Sequence, residues 1–480
     1  MEKILNYING QLMPPMSGQY LDNIEPATGK VYSQISHSDD NDLELAIQAA
    51  EAAQQLWANT SLEKRAEILC RLADLIDQNA DRLAEAEAID NGKAVTFAKA
   101  VDIYRSSANI RFFAQAGTQF SSESHAMADL AINYTLRDPI GIVGCISPWN
   151  FPLYLFTWKI APALATGNVV IAKPSEVTPM TAFLFSQLCI EAGLPAGVLN
   201  ILHGTGPSIG GPITTHPKIK AISFTGGSAT GAHISKVTAG MFKKLSLELG
   251  GKNPTVVFAD CDFDETVQEV ARAAFSNQGQ ICLCGSRIYV EHTIYEKFKQ
   301  ALVKQVKNIK IGDPLDSSTQ HGALVSKAHM EKVLSYIELA QQEGGTILTG
   351  GKRHQLAGRC AEGFFVEPTI IEGLSNQCRT NQEEIFGPVC TIMPFTTEEQ
   401  ALELANGTEY GLASSVWTND LKRAHRVAKK IEAGIVWINC WLLRDLRTPF
   451  GGVKSSGVGR EGGQEALRFF TEPKNVCIKY

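Results

Sequence analysis

The chain has 480 residues, 44% hydrophobic and 20% charged, enough for roughly three ordinary domains or two large ones, which excludes a small binding module, a disordered chain and a coiled coil. Its 44 Lys and Arg against 50 Asp and Glu leave a net charge of -6, so no broad basic surface is offered to nucleic acid or an anionic membrane, and a small-molecule partner is expected. No apolar run of signal-peptide length opens the sequence. The longest apolar stretch, 140–172, is broken by Pro148, Asn150, Pro152, Lys159, Pro162 and Asn168, so no membrane span is expected. The 11 cysteines are scattered from Cys70 to Cys477 without metal-ligand pairing, which predicts reduced thiols, a cytoplasmic protein and no metal site.

The first 120 residues read as mostly helical, because Leu43, Ala46, Ala50 and Ala53 recur at helical spacing, as do Ala66, Leu69, Leu72, Ala73 and Ile76. From about Ile140 short apolar runs alternate with helix-length segments: IGIVGCI, NVVIAK, a helix over about 179–193, VLNIL, IKAISF, a helix after Ser228, and KLSLEL. Runs with so little polar alternation are strands of a parallel sheet covered on both faces by crossover helices. A second series follows: a helix near 265–277, strand SRIYVEH, helices from about Ile294 and over 326–343, then TILTG, GFFVEPTII, VCTIMPF and GIVWIN. Two α/β domains with doubly wound parallel sheets are therefore predicted. Residues 122–137 and 465–480 fit neither series and read as extended arms that pair with another subunit. There is no short-period repeat of a solenoid or propeller.

No GxGxxG opens the α/β series, and GTGPSIG at 204–210 is one residue too long for it. FTGGSATG at 224–231 lies between strand IKAISF and a helix, where backbone N–H groups can hold a pyrophosphate. In NQGQICLC, Cys282 and Cys284 stand two apart, so in extended chain only one thiol faces a given cleft. A nucleophilic thiol needs an acid/base group and donors for an oxyanion, and two residues qualify. Glu248 ends strand KLSLEL and Asn150 follows strand IGIVGCI, both at the carboxyl edge of the sheet, where open α/β folds bind ligands. Ordinary alternatives are a surface Glu, a turn Asn and a packing Cys.

Taken in order, PWN (148–150), KPSE (173–176), FTG (224–226), ELGGK (248–252), GQxC ending at Cys282, EEIFGP (383–388) and PFGG (449–452) resemble the aldehyde dehydrogenase superfamily nearly end to end. The resemblance implies an NAD-binding domain over 1–121 and 138–250, a catalytic domain over 251–464, and a small β oligomerisation element from 122–137 and 465–480, giving a homodimer or homotetramer. It implies that the Cys282 thiolate attacks an aldehyde, that Asn150 and the Cys282 N–H hold the oxyanion, and that Glu248 activates the water that hydrolyses the thioester. It also implies that Lys173 and Glu176 hold the adenosine ribose of NAD and Glu384 the nicotinamide ribose. Phe386, Trp149, Thr225 and Gly226 complete the cofactor site. Glu176 favours NAD over NADP, since a carboxylate repels a 2′-phosphate. Gly227 departs from the family pattern, which often has Ser there.

SPWNFPLYLFTWKIAPA, NQGQICLCGSR and NCWLLRDLRTPFGGVKSSGVGREGG resemble the branch that oxidises 2-aminomuconate and 2-hydroxymuconate semialdehydes. Positions that are apolar or aromatic in relatives acting on apolar aldehydes are here Arg105 and Arg444. Two arginines in a cleft expected to be lined by Trp158, Trp441 and Leu443 predict a carboxylate-bearing substrate. Arg111, about 240° around the helix from Arg105, points elsewhere, and Arg447 is a lesser candidate. Another ω-oxo acid, a betaine-type aldehyde, a CoA-acylating reaction and a non-catalytic binding protein are the competing readings.

Overall fold

A computed structural model describes residues 1–480. Its first sheet has eight strands in the order Gly457–Val458, Lys244–Glu248, Ile219–Thr225, Ile142–Ile146, Val169–Lys173, Leu199–Ile201, Asn6–Ile8, Gln11–Met13. The five inner strands run parallel, and the outer ones are antiparallel additions. From Ile142–Ile146 the chain winds outward on one side, then returns to place Ile219–Thr225 on the other. That reversal opens a crevice between the loops following these two strands. The helix Pro152–Ala165 begins there and is buried on every face, as an apolar helix between a sheet and other helices must be.

The second sheet has seven strands in the order Thr346–Thr349, Thr369–Glu372, Val389–Phe395, Gly285–Glu291, Asn253–Val257, Ala413–Trp417, Ile435–Ile438, all parallel but the first. The fold is thus two doubly wound α/β units with a small β element. In that element Thr471–Lys479 pairs antiparallel with Ala131–Pro139, which pairs with Ser124–Met127.

The structure differs from the sequence expectation in three places. The first 36 residues are five short strands rather than helix, and two of them extend the first sheet; three of the five have only three residues, too few for alternation to register. Asn253–Val257 and Ala413–Trp417 are inner strands of the second sheet, hidden in sequence by Pro254 and by Ser414 and Ser415. The chain also returns to the first unit before residue 464: Gly457–Val458 pairs with Lys244–Glu248, and the helix Gly463–Phe469, expected to lie in an arm, buries Ala466 and Leu467 in the first unit's core.

Candidate active site

Asn150 sits in the crevice, 3% exposed, on the loop after Ile142–Ile146. Its main-chain carbonyl accepts from Lys93 Nζ at 2.9 Å and Asn277 Nδ2 at 3.0 Å, and its own Nδ2 donates to Gln280 O at 3.0 Å. A primary amide has two N–H donors. With one engaged by Gln280, the second is left for an oxyanion, and the amide's orientation is set by the first.

Cys282 reaches the same crevice through an unusual turn. After the helix Phe263–Phe275, Asn277, Gln278 and Gly279 all have left-handed backbone, with φ of 50°, 57° and 68°. At Gly279 a Cβ would lie 2.1 Å from Gly387 O, so the turn carrying the thiol is pressed against the loop carrying Glu384 and Phe386. Gly279→Ala is expected to destabilise the fold by about 2 kcal/mol or more, read as a lowered Tm together with reduced activity. The Cys282 and Cys284 carbonyls are tied to Asn253 Nδ2 at 2.7 and 2.9 Å. Cys284 lines neither of the cavities that Cys282 borders. Burial pushes the Cys282 thiol well above its ordinary range, with Glu384 and Glu248 adding to the rise and Arg444 opposing it.

On one side of Cys282 lies a mainly apolar cavity of about 310 Å³. Arg105, Arg444, Tyr154, Leu442, Phe450 and Glu248 are among its walls. Arg444 donates to Tyr154 Oη at 2.6 Å and stacks 4.0 Å from the Phe450 ring centre and 5.2 Å from that of Trp158. Arg105 lies 5.4 Å from the Tyr154 ring centre, and its Nη2 is buried with no hydrogen-bond partner. The neighbouring arginines are committed elsewhere: Arg447 pairs with Asp445 at the surface, and Arg111 with Asp74 and Asp77. The expected lining is corrected. Trp158 and Trp441 do not border the cavity, Leu443 is 75% exposed, and Leu442, with φ of 61°, lines it instead.

Glu248 ends its strand opposite Thr225 and Gly457, 3% exposed, with both carboxylate oxygens lacking partners. A Cβ on Gly451 would come within 2.7 Å of Oε1, which is why the PFGG segment carries glycine there. Burial and the nearby Glu461 raise the Glu248 carboxyl well above the carboxylate range, against the pull of Lys159, Arg460 and Arg444. Lys159 is itself buried and donates to Glu461 Oε1 at 2.8 Å and Ser223 Oγ at 3.1 Å.

On the other side of Cys282 a more polar cleft of about 250 Å³ runs between Thr225, Gly226, Gly227, Trp149, Glu384 and Phe386. Thr225 Oγ1 is buried without a partner. The helix Ser228–Thr238 opens at Gly227 with no side-chain cap, leaving its first N–H groups free for an anion. Glu384 Oε1 accepts from Gly251 N at 2.8 Å, and Trp149 meets Phe386 edge to face at 5.2 Å. Cys282, Thr225 and Leu249 border both cavities, so the thiol stands at their junction. An apolar chamber and a polar cleft meeting at one cysteine suit a reaction in which a substrate carbon is attacked on one face while a second ligand lies across from it.

The sequence profile of the aldehyde dehydrogenase family matches residues 13–476. The chain belongs to this family. It is an aldehyde-oxidising oxidoreductase. It is 48% identical over 478 residues to a 2-aminomuconic semialdehyde dehydrogenase of Mus musculus, spanning 99% of this chain and 98% of that protein. It is 46% identical over 485 residues to a 2-hydroxymuconic semialdehyde dehydrogenase of Pseudomonas sp. (strain CF600), spanning all of both. The structure of a Bacillus cereus aldehyde dehydrogenase in complex with NAD+ superposes with a TM-score of 0.97 at 39% identity, covering 100% of this chain and 97% of that one.

In this aldehyde dehydrogenase Cys282, Glu248, Asn150, Arg105, Arg444, Trp149, Thr225, Gly226, Glu384 and Phe386 converge on the two cavities. Lys173 and Glu176 border neither. They form an ion pair of 2.8 Å. Burial would raise the Glu176 carboxyl, but Lys173 and the N–H of Gly206 hold it below the ordinary range. GTGPSIG, set aside above, is thus packed against this pair. Tyr154, Lys159 and Glu461 were not anticipated; the only signal was a lysine inside an otherwise apolar helix. His329 and Lys332 also line the polar cleft. His329 contacts Phe386 O at 2.8 Å and is pushed down to about 4 by burial, so it is neutral at pH 7.

Proposed function

We propose that this enzyme oxidises a carboxylate-bearing semialdehyde, 2-aminomuconate or 2-hydroxymuconate 6-semialdehyde, to the dicarboxylic acid with NAD. The observation that carries the reading is Arg105, half-buried with its Nη2 buried and without a hydrogen-bond partner, on the wall of the same chamber as Arg444 and Cys282. A guanidinium held in apolar surroundings without a counter-ion is stabilised by an arriving carboxylate, which it binds in bidentate fashion. A betaine-type aldehyde would be repelled. The names of the relatives from Mus musculus and Pseudomonas support the same substrate class.

NAD fits the polar cleft: unpartnered Thr225 Oγ1, the uncapped helix at Gly227 and the Glu384 carboxylate offer a hydroxyl, an anion site and a ribose acceptor. When bound it supplies the hydride acceptor. Lys173 and Glu176, beside the glycine turn, would hold the far ribose. The Cys282 thiol releases its proton to solvent, and the thiolate Sγ attacks the aldehyde carbon, forming the C–S bond while the carbonyl oxygen becomes an oxyanion. The free N–H of Asn150 and the Cys282 N–H stabilise that charge. Loss of hydride leaves a thioester. Glu248 then takes a proton from water, whose oxygen attacks the acyl carbon, and Cys282 leaves as thiolate. The unpartnered Glu248 carboxylate favours hydrolysis over transfer to CoA. The Lys159–Glu461 pair biases the charge of Glu248 from nearby, Glu461 raising its carboxyl and Lys159 opposing that rise.

Removing one guanidinium contact to a charged group forfeits about 2 kcal/mol, roughly 30-fold. Arg444→Ala and Arg105→Ala are each expected to raise KM by that factor for the acid semialdehyde and to leave an uncharged aldehyde of similar length nearly unaffected. Equal losses on both aldehydes would sink the carboxylate assignment. The open strand Thr471–Lys479, exposed along most of its length, supports pairing with a second subunit. No helix is long and apolar enough to cross a membrane. The 11 free cysteines fit a reducing compartment such as the cytoplasm.

A further inference from the structure

Behind the reacting groups lies a cluster of three buried charges. Lys93, Glu87 and Asp102 have fully buried side chains. The Lys93 ammonium donates to Asp102 Oδ2 at 2.6 Å, to Glu87 Oε1 at 3.3 Å and to the main-chain carbonyl of Asn150 at 2.9 Å. These contacts use all three of its donors. Two residues earlier, Asn91 Nδ2 donates to the carbonyl of Trp149 at 2.8 Å, so one short segment holds two successive carbonyls of the loop that carries Asn150.

Asp102 extends the connection. Its second oxygen, Oδ1, accepts from Tyr154 N at 2.8 Å, and Tyr154 Oη is the acceptor for Arg444. Asp102 also lies on the π-helical turn Ala98–Ile103 that leads directly into the helix bearing Arg105. One carboxylate thereby joins the Asn150 loop to both arginine-bearing sides of the substrate chamber. Burial and the adjacent Asp102 push the Glu87 carboxyl well above its ordinary range, beyond the opposing pull of Lys93. The cluster therefore packs one amino group against two carboxyl groups away from water. Burying such a group costs desolvation that hydrophobic side chains would not incur, so stability alone is a weak reason for it.

We propose that Lys93 is a positioning residue for Asn150, clamping its carbonyl so that the remaining amide N–H points at the oxyanion, with Asp102 setting Lys93 in place. This rests on the reading of Asn150 as an oxyanion donor. The Asn150 carbonyl is held from two sides, by Lys93 and Asn277, and its amide by Gln280 O. Releasing the Lys93 contact frees the loop to move, and a misplacement of about 1 Å at a reacting centre costs on the order of 100-fold in rate.

The test is a double-mutant cycle on the rate of the first NADH turnover, using the full-length enzyme with NAD and semialdehyde. Lys93→Met is expected to lower this rate about 100-fold with little change in KM or in NAD affinity. In an Asn150→Ala background the same substitution is expected to lower it less than about 3-fold, because the group it positions is already gone. A role confined to stability would give the same fold-loss in both backgrounds, which overturns the proposal, as does a wild-type rate in Lys93→Met. A wild-type rate in Asn150→Ala overturns the parent reading instead. If Lys93→Met shows no cooperative melting, Asp102→Asn, which keeps the side chain's shape, is taken through the same cycle. A loss that disappears with Asn150→Ala supports the proposal; an undiminished loss, or none, overturns it.

Discussion

Cys282→Ala is expected to abolish NADH formation, lowering kcat by at least about 10⁴-fold, while NAD still binds and the protein melts as before. The Cys282 sulfur is by far the better nucleophile at the junction of the two cavities, since the Thr225 hydroxyl beside it is far less ionised near neutral pH. Cofactor binding can be followed by quenching of tryptophan fluorescence, since Trp149 lines the polar cleft. Cys282→Ser should be nearly as inactive, because an alcohol is far less ionised than a thiol near neutral pH. Residual turnover within about 10-fold of wild type in either variant would remove Cys282 from the chemistry. A related expectation concerns the free enzyme. Burial, Glu384 and Glu248 raise the Cys282 thiol, so alkylation by iodoacetamide should be slow at neutral pH and climb as pH rises past the ordinary thiol range. Rapid alkylation at pH 7 would mean that Arg444 outweighs burial.

The residues at sheet edges were the ones legible beforehand. Asn150 and Glu248 each directly follow or end an apolar strand, and a strand pattern alone locates its carboxyl end. Cys282 was marked by its neighbours and not by any property of its own, since Cys284, two residues on, is equally apolar in setting and lines neither cavity. What stayed hidden was side-chain pairing between separate elements. Lys93 carries no sequence signal of its own burial and Lys159 only its apolar helix, yet both are buried against carboxylates, Asp102 nine residues on and Glu461 far along the chain. The Leu442 and Leu443 exchange has a local cause: Leu442 takes left-handed backbone, which nothing in the sequence announces. The inner strands Asn253–Val257 and Ala413–Trp417 escaped because their polar groups are satisfied by neighbours in the fold. Asn253 Oδ1 accepts from Ala413 N at 3.0 Å, and Ser415 Oγ bonds Thr255 Oγ1 at 3.2 Å.

Glu248→Gln is expected to separate the two halves of the reaction. Gln retains the shape but cannot accept a proton, so thiol attack and hydride loss proceed while thioester hydrolysis slows by about 10²–10⁴-fold. Rapid mixing with NAD and semialdehyde should then give a burst of NADH equal to one per active site, followed by a slow steady state. In the wild-type enzyme the base must be ionised. Burial and Glu461 raise its pKa, so the ionised fraction, and with it hydrolysis, falls as pH drops through a value well above the ordinary carboxylate range. That acid-side limb of kcat should vanish in Glu248→Gln. Lys159→Met, which removes the strongest of the cations opposing this rise, should move the wild-type limb to higher pH, because the carboxylate loses that favourable charge. A variant Glu248→Gln with no burst, and with the first turnover slowed as much as the steady state, would assign Glu248 to thiol activation instead of water activation.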